Sequence, residues 1–202
     1  MPPPNKPQVT PDQLLVQGVS EHQAGRLDAA ERLYAQILEV DVRHADALHL
    51  LGLVQQQRGR PGEAIPLIRQ ALELSPDEGL YHANLAEAYR SVGNLELAEL
   101  HGRRALTLEP TQGEAHNTLG LVAELRGHYE ESARHYEAAI EQRPFVALPY
   151  DNLARVLRTQ GRLYEALAFL TEGMRLNPGA EPLLASLSAL RRELGAASES
   201  AD

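Results

Sequence analysis

Histidine is the side chain in this 202-residue sequence best suited to chemistry, because imidazole can carry a proton near neutral pH or bind a metal, and the chain has eight. Four of them fall into a pattern: His82 and His116 are 34 residues apart, and so are His101 and His135. Equivalent positions on stacked helices approach one another, and two imidazoles side by side are the start of a transition-metal site. No carboxylate recurs with them to complete a ligand set. HExxH is absent, and HYEESARH from His128 to His135 lacks the i, i+4 spacing that puts two ligands on one helical face. These histidines are therefore expected to be packing or surface residues, and neither a metal nor a cofactor is expected. Nucleophilic chemistry has less to work with still. There is no cysteine, no GxSxG and no glycine-rich phosphate loop, since GRPGE at 59–63 reads as a turn between helices. Glu130 and Glu131 fall where solvated residues are expected. No catalytic residue is proposed, and the chain reads as a non-enzyme.

Composition narrows the partners. A formal charge of −9 excludes a general polyanion binder, because neutralising phosphates requires a clustered excess of Lys and Arg. Nucleic acid is not expected. The N-terminus, MPPPNKPQVTP, lacks the apolar run of a secretory signal, and no stretch is apolar for long enough to span a membrane. The default expectation is a cytoplasmic protein.

The histidine interval is the period of the whole chain. Glycine recurs as Gly25, Gly59, Gly93, Gly127 and Gly161, each 34 residues after the last. Small residues recur as Gly18, Gly52, Ala86, Gly120 and Ala154; alanine recurs as Ala30, Ala64, Ala98 and Ala166, with Ser132 as the substitute. A proline follows as Pro76, Pro110, Pro144 and Pro178. Between these marks the apolar residues have helical spacing, as in Ala64, Leu67, Ile68, Ala71 and Leu72. Each unit is thus two helices around a glycine break, ended by proline, and neither helix can bury its apolar face without neighbours. Pro66 lies inside a helix, where loss of the bond to the Gly62 carbonyl predicts a local kink.

This pattern resembles the tetratricopeptide repeat over residues 11–180. The resemblance implies an all-α, right-handed α-α superhelical solenoid with repeats at 11–44, 45–78, 79–112, 113–146 and 147–180. Residues 181–195 read as a capping helix with Leu184 and Leu187 on its apolar face, and 1–10 and 196–202 as disordered tails, the first proline-rich. The tryptophan often found early in such repeats is replaced by Leu14, Leu48, His82, His116, Tyr150 and Leu184.

In that family, first helices line a concave groove, and ligand-facing positions are roughly the second, fifth, sixth, ninth, twelfth and thirteenth. Carried onto this chain, they imply an apolar wall of Leu15, Val16, Val19, Leu50 and Leu53, with His49 beside it. The later repeats supply Asn84, Glu87, Arg90, Asn117, Thr118 and Leu121, then Asn152, Arg155 and Arg158. The sixth position, Asn84, Thr118 and Asn152, is similar to the asparagine ladder of protein O-linked N-acetylglucosamine transferases. Such amides can pair with a peptide backbone whatever its side chains. A carboxylate clamp of the chaperone-binding kind is not expected, because Lys6 is the only lysine. Arg155, Arg158 and Arg192 predict a cationic end that would favour an acidic group on the partner. The resemblance therefore implies a protein-interaction scaffold that holds an extended peptide or partner helix. The alternatives are the substrate-recruiting part of a larger glycosyltransferase or sulfotransferase, and a scaffold that self-assembles through its N-terminal repeats.

Overall fold

The computed structural model describes residues 9–199. Most of the proline-rich tail expected at 1–10, and residues 200–202, lie outside that range. Eleven helices account for the described residues, with no strand among them. They are α1 (Pro11–Gln23), α2 (Leu27–Val40), α3 (Ala45–Gln57), α4 (Pro61–Leu74), α5 (Gly79–Ser91) and α6 (Leu95–Leu108). Then come α7 (Gly113–Leu125), α8 (Tyr129–Gln142), α9 (Ala147–Thr159), α10 (Leu163–Leu176) and α11 (Glu181–Glu199). The first ten pair into five hairpins, each packed on the next, and form a right-handed α-α solenoid.

The hairpin turn depends on backbone conformation rather than on space. Gly25, Gly59, Gly93, Gly127 and Gly161 all have positive φ, between 72° and 80°, where a side chain would strain against its own backbone. A Cβ at any of them would meet nothing within 4 Å. The turn also closes the same way each time: Arg26, Arg60, Asn94, His128 and Arg162 donate their amides to the carbonyl five residues back, at 2.9 Å. That bond satisfies an orphan carbonyl at the end of each first helix.

The small residue at the eighth position is a matter of space. A Cβ on Gly18 or Gly120 would come within 2.5 or 2.6 Å of Tyr34 or Tyr136, and one on Gly52 within 2.7 Å of Ile68. The third repeat reverses the trade. Ala86 faces a hairpin partner whose equivalent residue is Gly102, and Leu119 of the next repeat fills the gap, 2.9 Å from where a Cβ would stand. Ser132, the one substitute for the recurring alanine, is fully buried and donates its hydroxyl to the Gly120 carbonyl at 2.8 Å.

Two expectations about the cap need correction. Leu183, Leu187 and Leu190, at 0, 6 and 0% exposure, pack α11 onto the last repeat, whereas Leu184 is 54% exposed. The i, i+4, i+7 spacing of those three defines a stripe that a reading from repeat position alone displaces by one residue. The helix also continues to Glu199, past the expected boundary at 195. Pro66 is exposed within α4, which runs unbroken from Pro61 to Leu74.

Turn glycine and open glycine should respond oppositely to the same added methyl. Gly93→Ala should cost about 1–2 kcal/mol through its positive φ. Gly62→Ala, at an open helical position, should stabilise by roughly 0.5 kcal/mol. Urea unfolding midpoints of the two variants test this, with a lower midpoint expected for the first and a higher one for the second.

Candidate functional site

The first helices meet by a fixed register. Side chains bond to the residue 35 positions later, one repeat plus one step, as in Asp46 with Tyr81 and Asp151 with Ser186. The extra step is an offset of about 1.5 Å along the helix between neighbours. His49 Nε2 accepts from Asn84 Nδ2 at 2.8 Å, and Asn117 Oδ1 accepts from Asn152 Nδ2 at 3.1 Å. These pairs join the fifth position of one repeat to the sixth of the next. Leu15 and Leu50 share the interval, and both pack against the first core cluster. Thr118 breaks the series: its counterpart is Ala83, so its hydroxyl donates to Glu87 Oε2 at 3.4 Å instead.

The sixth-position amides are therefore spent largely inside the solenoid, which corrects the ladder expectation. Asn152 is 5% exposed; its Oδ1 also accepts from Arg155 at 2.9 Å. Thr118 and His49 are 3% exposed. His49 stacks on Tyr81 with ring centroids 4.2 Å apart and positions Asn84 rather than facing a ligand. Burial pushes its pKa down to about 4, against the opposing pull of the Asp46 carboxylate. Asn84 Oδ1 and Asn117 Nδ2, by contrast, keep one acceptor and one donor without a protein partner among the described residues.

Those two free amide atoms belong to the walls of a groove of about 560 Å³ running across α5, α7 and α9. It brings together Asn84, Glu87, Arg90, Asn117, Thr118, Leu121 and Asn152 of the expected residues. It also includes residues the sequence reading left out: Val146 and Leu148 add apolar surface, buried Ala83, Ala139 and Pro149 lie beneath it, and Arg143 adds a charge. Leu148 carried a partial signal, being apolar at the second position where Asp12, Asp46 and Glu114 stand in three of the other repeats and Leu80 in the fourth. Arg143 carried none, because it lies at the end of a second helix, which reaches the groove over Gly113. A Cβ there would stand 3.1 Å from the Arg143 side chain.

The groove's charges are already matched. Arg90 holds Glu87 by two hydrogen bonds of 2.6 and 2.7 Å, and Arg143 pairs with Glu114. Toward the C-terminal end Arg155 pairs with Glu124, and Arg158 donates to Glu193 at 2.8 Å. The expected cationic end is thus largely compensated, with exposed Arg192 the one of the three expected arginines that has no ion pair among the described residues.

The N-terminal residues do not join this groove. Val19, Leu50 and Leu53 line a separate hollow of about 500 Å³ with Tyr34, and Val16 stands apart at 71% exposure. Leu15 and Leu50 contribute to packing, so the expected continuous apolar wall is not formed. The histidines also pair differently from the expectation: His82 meets His101 and His116 meets His135, within a repeat rather than between equivalent positions. Among the described residues no group of three or more His, Cys, Asp or Glu could hold a metal, and no helix is long and apolar enough to cross a membrane.

Asn152→Ala should cost about 1–3 kcal/mol, because it leaves both the Asn117 carbonyl and Arg155 short of a partner at a buried junction. Leu148→Ala, at 55% exposure, should change stability by less than about 0.5 kcal/mol. Chemical denaturation of both variants checks the contrast.

Models of the tetratricopeptide repeat match residues 15–78, 49–113, 113–145 and 150–177. No match was found among curated proteins. Among solved structures, a thermophilic tetratricopeptide-repeat protein of Thermus thermophilus superposes with a TM-score of 0.77 at 24% identity, over 90% of this chain and 98% of its own. The APC/C hetero-tetramer Cut9-Hcn1 gives 0.84 at 17% identity, over 93% of this chain and 38% of the other. YrrB, described as having an unusual peptide-binding site, gives 0.61 at 20% identity, over 89% of this chain and 93% of its own. Five hairpins in one register, matched by repeat models along nearly their whole length, place this chain in the tetratricopeptide-repeat family.

Proposed function

We propose that the chain is a non-catalytic protein-interaction scaffold that holds an extended peptide or a partner helix in the groove across α5, α7 and α9. The observation that carries this reading is the groove's lining: apolar surface from Leu121, Val146 and Leu148, with Asn84 Oδ1 and Asn117 Nδ2 as its open amide atoms. Apolar surface contributes affinity by leaving water, and a lone acceptor and donor can fix one peptide group of an extended segment. The peptide-binding site named for YrrB accords with this use of the fold.

The charge arrangement defines the partner further. Glu87 with Arg90 and Glu114 with Arg143 are closed pairs, so a charged ligand would have to break one of them to gain another. An uncharged segment with apolar side chains fits the groove better than an acidic one. Its affinity should change little with ionic strength, since screening acts on net charge that is not offered here.

Affinity capture with the intact protein and with Leu148→Asp, at an exposed position of the groove, followed by mass spectrometry, tests the reading. A partner retained by the parent and lost by the variant at an unchanged unfolding midpoint is the expected result. Identical retained proteins for both would overturn groove binding.

A further inference from the structure

Repeats three and four contain a device that the groove does not use. His82 Nδ1 lies 2.9 Å from His101 Nδ1, and His116 Nδ1 lies 3.1 Å from His135 Nδ1. Each contact joins the first helix of a repeat to its own second helix. At this distance two Nδ1 atoms require one hydrogen between them, because two lone pairs repel and two N–H groups collide. The tautomers follow from the outer nitrogen. His82 Nε2 is 3.2 Å from the Pro76 carbonyl oxygen, which can only accept, so Nε2 carries the hydrogen and Nδ1 the lone pair. His101 Nδ1–H must then donate to His82. His116 is hydrogen-bonded to the Pro110 carbonyl in the same way, which makes His135 the donor in the second pair.

The same two positions in the other repeats hold Leu14 with Leu33, Leu48 with Leu67, and Tyr150 with Phe169, so none of those repeats has an imidazole there. The charged surroundings of the histidine pairs are mixed. Arg69 and Glu73 of α4 line the hollow beside His82 and His101, Asp77 lies in the preceding turn, and Arg104 approaches from α6. Tyr89 stacks on His101 with centroids 5.6 Å apart. Around the second pair stand Glu131, Arg134 and Glu141 of α8 and Arg103 of α6.

We propose that the two histidine pairs form an acid-operated latch confined to repeats three and four: one shared hydrogen per pair closes each hairpin, and a proton on the accepting Nδ1 of His82 or His116, which only the open hairpin can take up, opens it while the flanking repeats stay folded. A proton entering at the outer nitrogen of His101 or His135 leaves the shared hydrogen in place, but one entering at the accepting Nδ1 of His82 or His116 would set N–H against N–H across a helix–helix contact, and the rings could accommodate it only by parting. The consequence reaches the groove, because His82 and His116 share α5 and α7 with Asn84 and Asn117. The latch itself does not depend on what the groove binds.

The direction with pH is fixed. Burial lowers all four imidazoles below their ordinary 6.5, His101 to about 4. A group depressed on folding contributes its full stability above the unfolded value. That contribution declines as the pH falls below 6.5 and is gone once the pH passes the folded value.

Hydrogen exchange on the whole protein, corrected for intrinsic rates, tests this at about pH 7.5 and about pH 5. The expected result is a loss of protection in α5–α8 of about tenfold or more relative to α1, α2, α9 and α10, with α3 and α4 left out of the reference because buried His49 on α3 is depressed as well. His82→Leu/His101→Leu with His116→Leu/His135→Leu, which installs the pair of repeat two, should abolish that difference. Uniform acid loss along the chain, or unchanged protection in α5–α8 of the parent, would overturn the latch. Imidazole nitrogen NMR of the parent supplies a readout that needs no variant. All four paired rings should titrate below 6.5 with unequal Nδ1 and Nε2 shifts, and titration of all four at 6.5 would also overturn it.

Discussion

The junction between successive first helices, where each side chain meets the residue 35 positions later, is the constraint on which the rest of the molecule depends. A hairpin buries one side of each helix within itself and must bury another against a neighbour. The register decides which side chains that neighbour receives. Leu15 with Leu50 makes the first junction apolar, His49 with Asn84 and Asn117 with Asn152 make two polar, and Asp151 with Ser186 ties on the cap at 2.5 Å. Polar junctions are specific in a way apolar ones are not, because a one-residue slip would leave buried donors and acceptors unpaired.

The groove is what these junctions leave over. Asn152 is consumed from both ends, by Asn117 and Arg155, while Asn84 and Asn117 each spend one atom and keep one. Closed pairs of Glu87 with Arg90 and Glu114 with Arg143 leave apolar side chains as the dominant surface. A chain with a formal charge of −9 thus presents a groove whose own charges cancel locally. This links the packing of the repeats to the chemistry of the proposed ligand: the side chains that hold the solenoid together are largely those unavailable for binding.

Much of the fold was legible in the sequence, because helix hairpins are local and their marks recur. Gly25 through Gly161 identify the turns, and each of them falls between the two helices of a hairpin. The site was only half legible. Repeat position identifies the side of a helix, but not the one-residue offset between helices, and that offset turned Asn152, Thr118 and His49 inward. It also could not show that Arg155 and Arg158 meet Glu124 and Glu193, since those partners lie in other repeats or in the cap. Leu184 was misread for a similar reason: the cap follows its own stripe of Leu183, Leu187 and Leu190. The histidine pairs join positions four and twenty-three of one repeat, a relation that spacing between repeats does not reveal.

The most direct test of the register is a double-mutant cycle on His49 and Asn84, compared with a cycle on Asn84 and Asn117, using urea unfolding of each single and double alanine variant. The first pair is 35 residues apart and bonded at 2.8 Å, whereas the second lies in adjacent repeats without a bond between them. The account predicts a coupling of about 1 kcal/mol for His49 with Asn84 and additivity within about 0.5 kcal/mol for Asn84 with Asn117. Equal coupling in both cycles, or none in the first, would contradict it.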